Sequence, residues 1–379
     1  MFRNFPPSGT AARRPLPPFT EEHEALRAQI KAFVAGELRP RAADWEAARW
    51  FPDEVFTRMA EHGLLGLKYP TEYGGRGGSY VDDAVLTQEL SRCGSGGLAA
   101  GIGAHVGIAT PPIWKFGTHD QKRRFLAPAI AGERIAALGI TEPGAGSDVA
   151  GIRTSARRVD GGYVVNGSKT FITNGVRADF VVTAVKTTDE GGHHGLSFLL
   201  IEREMDGFNV AGKLEKLGWH ASDTGELAFD DVFVPEENLL GEENRGFYLI
   251  MANFQWERLL MALGAVGSME AMLERVLGAE PDGELFRRTV AEMAVKLEAS
   301  RCLTAHALRL FAGGHDAIRE VTEAKLISQR SALEVAEAAF RMVGDDPDVG
   351  RALRDTRLGP IGGGTDEVMK EILGKLLGL

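Results

Sequence analysis

The spacing of apolar residues along this chain changes twice, and that change restricts the fold more than any single motif. From Thr20 to Gly132 the period is helical. Leu26, Ile30, Phe33, Val34 and Leu38 recur at steps of three and four, Pro52 and Asp53 open a second amphipathic run, and Ser79 caps a third through Leu90. Thr118 with Gln121 forms a capping box for a fourth run through Leu126. Between about Ala136 and Pro235 the period falls to two and the residues become β-branched. Tyr163 to Val165 and Lys169 to Ile172 flank Asn166-Gly167, which predicts a two-residue hairpin, and Phe180 to Val185, Leu196 to Ile201 and Glu226 to Val234 read as further strands of antiparallel type. After Gly241 the helical period returns and holds to Leu379, with breaks near Pro281 and Gly283, at Gly313-Gly314, and at Asp345 to Pro347. One helix should run from about Gly246 to Leu277, followed by two more long ones and a short last one opening at Thr365.

A helical, strand, helical order over 379 residues predicts an α+β multidomain protein. The boundaries expected are an arm over 1–20, a helical domain over 21–134, a β-domain over 135–238 and a helical bundle over 239–379. The arm holds Arg3, Arg13, Arg14 and five prolines with no apolar core, which does not read as a signal peptide. The apolar helical stretch around Leu259 to Met269 is about half of the ~20 residues a bilayer span needs, so no membrane helix is expected. Net charge is −10 with no basic block, which disfavours nucleic acid as partner. Cys93 and Cys302 are the only cysteines, which excludes a disulfide framework and a four-cysteine metal site and suits a reducing, cytoplasmic setting. The nine histidines show no HExxH or Cys/His ligand spacing, and no GxSxG elbow occurs, so neither a metal site nor a serine esterase is expected.

Four segments carry candidate chemistry. The loop TEPGAGSD, Thr141 to Asp148, sets Gly144 and Gly146 beside two hydroxyls, a composition that lets backbone amides face a ligand, although a plain connection between strands has the same composition. It is neither a Walker loop nor a dinucleotide fingerprint. TFITNG, Thr170 to Gly175, could set the Phe171 ring and the Thr173 hydroxyl beside a planar ligand, as ordinary sheet residues also would. Glu257 is less ordinary, because its helical neighbours include Phe254, Leu260 and Met261 in a segment apolar on nearly every side. A carboxylate there is buried or faces a cavity, which raises its pKa toward the range of a useful base; a structural pair with an arginine such as Arg258 is the alternative. Finally, IGGGTDE, Ile361 to Glu367, sets three glycines before a helix N-terminus, where close backbone contact with a ligand and a plain helix start are both open.

Together these segments resemble the acyl-CoA dehydrogenase family, from about Thr20 to the C-terminus. The resemblance rests on FPDEVFTRMAEHGLLGL from Phe51, PTEYGG from Pro70, FGTHDQKRRFLAPAIAGE from Phe116, ITEPGAGSDVAGIRT from Ile140, NGSKTFITNG from Asn166, LGWHASDTGELAFDDVFVP from Leu217 and GGGTDEVMKEIL from Gly362. It implies a helical domain, an antiparallel β-barrel-like domain and a four-helix bundle, with FAD between the last two and an acyl thioester of coenzyme A beside the flavin. It also implies that a carboxylate removes the α-proton while the β-hydride passes to flavin N5, giving a trans-2-enoyl thioester. By the same resemblance Leu138, Ile140, Thr141, Gly146 and Ser147 line the flavin and its pyrimidine edge, Phe171 stacks on it where many members have Trp, and Thr173 sits near N5. Thr365 and Glu367 match cofactor-contacting positions, Ser147 also approaches the coenzyme A chain, and Phe254, Arg258 and Gly364 fall on the substrate side.

Most members carry the base before the Gly-Thr of the last motif, where this chain has Gly363. The long-chain and isovaleryl branches place it on the bundle helix directly before an Arg, and this chain has Glu257-Arg258 there. Gly363 then vacates volume for Glu257 while its amide can still donate to the thioester oxygen. Two family elements that reach the neighbouring subunit's FAD, Arg-x-x-Phe-Gly and Gly-Gly-x-Gly, are missing from LGAEPDGELF at Leu277 and MVGDDPDVGR at Met342. The resemblance therefore implies a homo-oligomer, dimer or tetramer, with a weaker hold on FAD or with other residues compensating, or a hetero-oligomer with a related subunit. It further implies an electron-transferring flavoprotein as acceptor. Alternatives are a non-catalytic partner subunit, a flavin oxidase, or an enzyme of acyl-carrier-protein thioesters.

Overall fold

The structure, a computed structural model, describes residues 15–188, 194–279 and 283–379, so most of the expected arm, and Pro281 at the first expected break, lie outside the described residues. The N-terminal layer is helical: α1 (Glu21–Phe33), α2 (Ala42–Ala48), α3 (Glu54–Glu61), α4 (Tyr80–Leu90), α5 (Gly96–Gly103), α6 (Thr110–Phe116), α7 (His119–Gln121) and α8 (Ala127–Ile130). The expected caps are present. Ser79 Oγ accepts from the Val81 amide at 3.1 Å, and Thr118 and Gln121 exchange backbone-to-side-chain bonds of 3.1 Å each. A π-helical turn, Ala104–Ala109, joins α5 to α6 in one rod.

The central domain is an eight-stranded sheet of β1 (Ala136–Gly139), β2 (Ser155–Val159), β3 (Gly162–Thr173), β4 (Phe180–Lys186), β5 (Leu196–Glu202), β6 (Phe208–Lys213), β7 (Thr224–Pro235) and β8 (Leu239–Leu240), in the order β6-β7-β3-β2-β4-β5-β8. Its pairings are antiparallel except that β1 runs parallel to β4 and β2 meets β4 through a parallel bridge at Ser155 and Lys186. Strands β4 and β5 are buried on both faces, which is why they read as unbroken apolar runs. Val181, Val185, Leu199 and Ile201 fill the core of the sheet domain. On the other face Phe180, Val182 and Phe198 pack against Ile113 and Phe125 of the helical layer and against Leu249 and Ile250.

The expected hairpin at Asn166-Gly167 is not formed. β3 runs straight through that dipeptide, which forms an irregularity against β7, with Asn166 and Asp231 exchanging hydrogen bonds of 2.9 and 3.0 Å. Gly167 has φ +146°, and a Cβ there would stand 2.6 Å from Thr154 Cα, so glycine serves a bulge and a close approach instead of a turn. The turn itself lies at Asp160-Gly161, where β2 and β3 pair in register from Val159 opposite Gly162, and Gly161 has φ +75°.

The C-terminal part holds three long helices, α9 (Gly246–Gly278), α10 (Glu284–Ala312) and α11 (Ile318–Val343), packed on one another, with the short α12 (Pro347–Asp355) and α13 (Asp366–Leu376) against α11. Sequence periodicity did not separate α12, although Asp346 caps it and Pro347 opens it. α4 also packs on α9, where a Cβ on Gly267 would lie 2.2 Å from the Gln88 carbonyl oxygen. Among the described residues no helix is long and apolar enough to cross a membrane.

Candidate active site

A cavity of about 1260 Å3 lies where the three parts meet. That exceeds the range of about 300–1,000 Å3 usual for one small ligand. The sheet domain contributes Leu138, Ile140, Thr141, Gly146, Ser147, Phe171 and Thr173 to its wall, and the bundle contributes Phe254, Glu257, Arg258, Gly363, Gly364 and Thr365.

On the sheet side, the loop after β1 is held from beneath. Glu142, 7% exposed, accepts from the amides of Arg153 at 2.6 Å and Thr154 at 2.9 Å and pairs with Lys169 Nζ at 2.8 Å. Burial works against this carboxylate, but Lys169 and the donated bonds outweigh it and hold its pKa below the usual range. Lys169 also donates to the Ile140 carbonyl at 3.1 Å, and the Thr170 amide to that of Thr141 at 2.9 Å. The glycines and Ser147 are thereby left facing outward. The next residue, Phe171, has φ +60°, a left-handed conformation costly for an aromatic residue, at an irregularity in β3. Its ring stays 67% exposed and lines the cavity. Neither Glu142 nor Lys169 was singled out by the sequence, although Lys169 has the parity of the buried Tyr163 and Val165 along β3, which was the available signal.

On the bundle side, Trp256 locks the rotation of α9. It is 1% exposed and lies 4.6 Å from Tyr80 and 5.6 Å from Phe311, ring centre to ring centre. Glu257 is thus turned to the cavity, where among the described residues its carboxyl makes no hydrogen bond and no ion pair with Arg258. The surface it retains is cavity wall, so burial dominates and pushes its pKa up to about 7, while Arg258 and Lys325 pull it back. Arg258 is 8% exposed, its Nε has no partner, and its guanidinium carbon lies 5.9 Å from the Phe254 ring centre. Gly363 and Gly364 follow with φ +63° and +89°, and Lys325 Nζ donates to the Gly364 carbonyl at 2.6 Å. A Cβ on Gly363 would stand 3.9 Å from Glu257 Oε1. Lys325, fully buried and with its own pKa lowered by burial to about 8, was also missed. It lies on the stripe of Val321, Ser328 and Ala332, an apolar helix face on which a lysine is a signal.

Three consecutive family descriptions match the chain: acyl-CoA dehydrogenase N-terminal domain over 20–133, middle domain over 137–232 and C-terminal domain over 244–378. The chain belongs to the acyl-CoA dehydrogenase family. It is 36% identical to isovaleryl-CoA dehydrogenase of Solanum tuberosum, over 95% of this chain and 91% of that one. It is 35% identical to long-chain specific acyl-CoA dehydrogenase of Mus musculus, over 94% and 86%. Its fold is similar to the crystal structure of a probable acyl-CoA dehydrogenase from Mycobacterium abscessus, with TM-score 0.91 and 40% identity over 94% of this chain and 99% of that one. Like its family, the chain is an oxidoreductase.

Against the residues expected for an acyl-CoA dehydrogenase, one stands apart. Glu367 lies on the exposed side of α13 and does not line the cavity, because the first turn of α13 points it away from the glycine turn. Thr365, the N-cap two residues earlier, does line it, and its Oγ1 accepts from the Val368 amide at 3.3 Å. At the short segment after α11, Asp346 and Asp348 are engaged within the chain, by Arg275 and, for Asp348, by Arg351 at 2.7 Å. The other short segment, after α9, includes residues outside those described.

Proposed function

We propose that this chain catalyses the FAD-dependent α,β-dehydrogenation of an acyl-CoA thioester to the trans-2-enoyl-CoA, with Glu257 as the base. The observation that carries the reading is the Glu257 carboxyl, free of hydrogen bonds in a cavity wall, pushed to about 7 and next to the Cβ-less Gly363. A base near neutral pKa is matched to a weak carbon acid.

The residues present fit a flavin. The Phe171 ring lines the cavity from a strained backbone, and Thr173 of the same strand, Gly146 and Ser147 line it too. Leu138, Ile140, Thr141, Gly146 and Ser147 would hold its pyrimidine side, Phe171 its ring face, and Thr173 and Thr365 would supply hydroxyls. FAD bound there supplies the acceptor for the hydride leaving the substrate β-carbon. Glu257 takes the α-proton in the same conversion, so the thioester loses two hydrogens and gains one double bond. The Gly363 amide donates to the thioester oxygen, where charge builds as the α-proton departs. Phe254, Arg258 and Gly364 border the acyl group, and Ser147 the coenzyme A chain. An electron-transferring flavoprotein is the proposed acceptor of the electrons, and an oligomer the proposed assembly. The test is Glu257→Gln: the holoenzyme should keep its flavin but form no enoyl product, and retained turnover refutes the assignment. Peroxide formation would mark an oxidase instead.

A second reading is a half-site subunit of a hetero-oligomer. It is favoured by the short turn after α11, whose aspartates are held by Arg275 and Arg351 of their own chain instead of reaching outward. A homo-oligomer with one FAD per chain after purification alone rules it out.

A further inference from the structure

The cavity continues past Glu257 along α9. Glu257, Met261, Gly264, Ser268, Ala271 and Arg275 all line it. They follow one another at steps of three and four, so they form a single face of α9. At about 1.5 Å per residue that face is about 27 Å long. α4, which packs on α9, and α5 also line the cavity, and beside Asp83 and Thr87 they present the apolar or small Leu86, Leu90, Ala99, Ala100 and Gly103. A Cβ on Gly103 would meet no atom within 4 Å, so the volume beside it is open.

The two ends of the channel differ. At its mouth are Glu257 and the nine-tenths buried Arg258 with its unpartnered Nε. At the far end the wall becomes charged: Arg275 pairs with Asp346 at 3.3 Å while its buried Nε has no partner among the described residues, and Arg39 lies 3.9 Å from Asp348. These charged groups end the apolar wall, and an alkyl chain gains nothing by passing them, so they act as a floor. The polar groups that the α9 and α4 sides bring to it beyond Arg258 include Asp83, which pairs with Lys68, and the hydroxyls of Ser268, Thr87 and Ser91, of which Thr87 and Ser91 donate to their own helix at 2.9 Å each.

We propose that this channel receives a long unbranched acyl chain, so that the substrates are long-chain fatty acyl thioesters. The proposal rests on Glu257 marking the α-carbon. A saturated chain advances about 1.3 Å per carbon from C–C bonds of about 1.5 Å, so the face from Glu257 to Arg275 matches about sixteen to twenty carbons. Each methylene leaving water for an apolar wall is worth about 0.8 kcal/mol, or about fourfold in affinity.

The test uses the purified holoenzyme and two readouts. The first is kcat/KM with butyryl-, isovaleryl-, octanoyl-, dodecanoyl- and palmitoyl-CoA. It should rise from butyryl to palmitoyl by about 100-fold or more; a maximum at butyryl, isovaleryl or octanoyl overturns the proposal. The second is binding of butyryl- and palmitoyl-CoA to Glu257→Gln holoenzyme, read from the flavin absorbance and independent of turnover. Tighter palmitoyl binding by about 30-fold or more supports the channel even if the base assignment fails. Equal or weaker palmitoyl binding overturns the channel whatever the base. Gly103→Leu, or Ala100→Leu should the first variant not fold, fills the open volume. Either should lower the palmitoyl-to-butyryl ratio of kcat/KM at least about tenfold; an unchanged ratio in a flavin-loaded variant overturns the proposal.

Discussion

A Cβ atom on Gly363 would stand in ordinary contact with Glu257, 3.9 Å from its Oε1, and tight against Met261 at 3.1 Å from its Cγ, so any longer side chain at 363 would grow from beside the carboxyl group on α9. An acid at either position would face the same part of the cavity.

Replacing Gly363 with Glu is therefore expected to impair the enzyme twice over. The backbone at φ +63° costs a side chain about 1–2 kcal/mol. A second carboxylate beside Glu257 also raises the pKa of that group further. The acid limb of the pH–rate profile should move above 7, and the rate at pH 7 should fall by about tenfold or more. A profile and rate matching the unsubstituted enzyme would contradict the shared space.

Activity should rise with pH through about 7, because Glu257 must be ionised to take a proton and burial sets its pKa there. Lys325 lowers that pKa and fixes the Gly364 carbonyl. Lys325→Met should shift the acid limb to higher pH, and Lys325→Arg should restore part of it. A loss of rate with an unmoved limb would show that Lys325 only supports the turn.

Glu257→Gln should make the fold more stable at pH 8 than the unsubstituted chain. The folded pKa is raised from 4.5 to about 7, so the contribution of the protonated form is full below 4.5 and is lost as pH rises through 7. Above 7 a buried charge remains, and glutamine removes it, a gain on the order of 1–3 kcal/mol. Thermal melting at pH 8 should show the gain and melting at pH 4 should not.

Glu142→Gln should loosen the loop that faces the flavin side. It leaves Lys169 buried without its counter-charge, a change that costs about 3–5 kcal/mol. The melting temperature and the flavin retained through gel filtration should both fall; full retention would detach the loop from cofactor binding.

The helix that bears Glu257 was legible because its apolar residues surround one carboxylate, and a carboxylate in that setting must face a cavity or a partner. The caps at Ser79 and Thr118 were legible for a similar local reason, since a side chain and an amide three residues away meet whenever the helix forms. Asn166-Gly167 was misread because a glycine with positive φ suits both a hairpin turn and a bulge. What decides between them is the approach of Thr154 and the pairing with β7.

Residue order by itself determined the helical, strand, helical succession and the presence of an acid on an apolar helix, since period and burial follow from covalent spacing and water's exclusion of apolar groups. Only the tertiary structure decided that Gly363 meets Glu257, that Lys169 and Lys325 are the buried cations supporting the two sides of the cavity, and that Glu367 faces outward. Those outcomes depend on how distant elements dock, and side chains far apart in the chain have no local interaction through which to announce their contact.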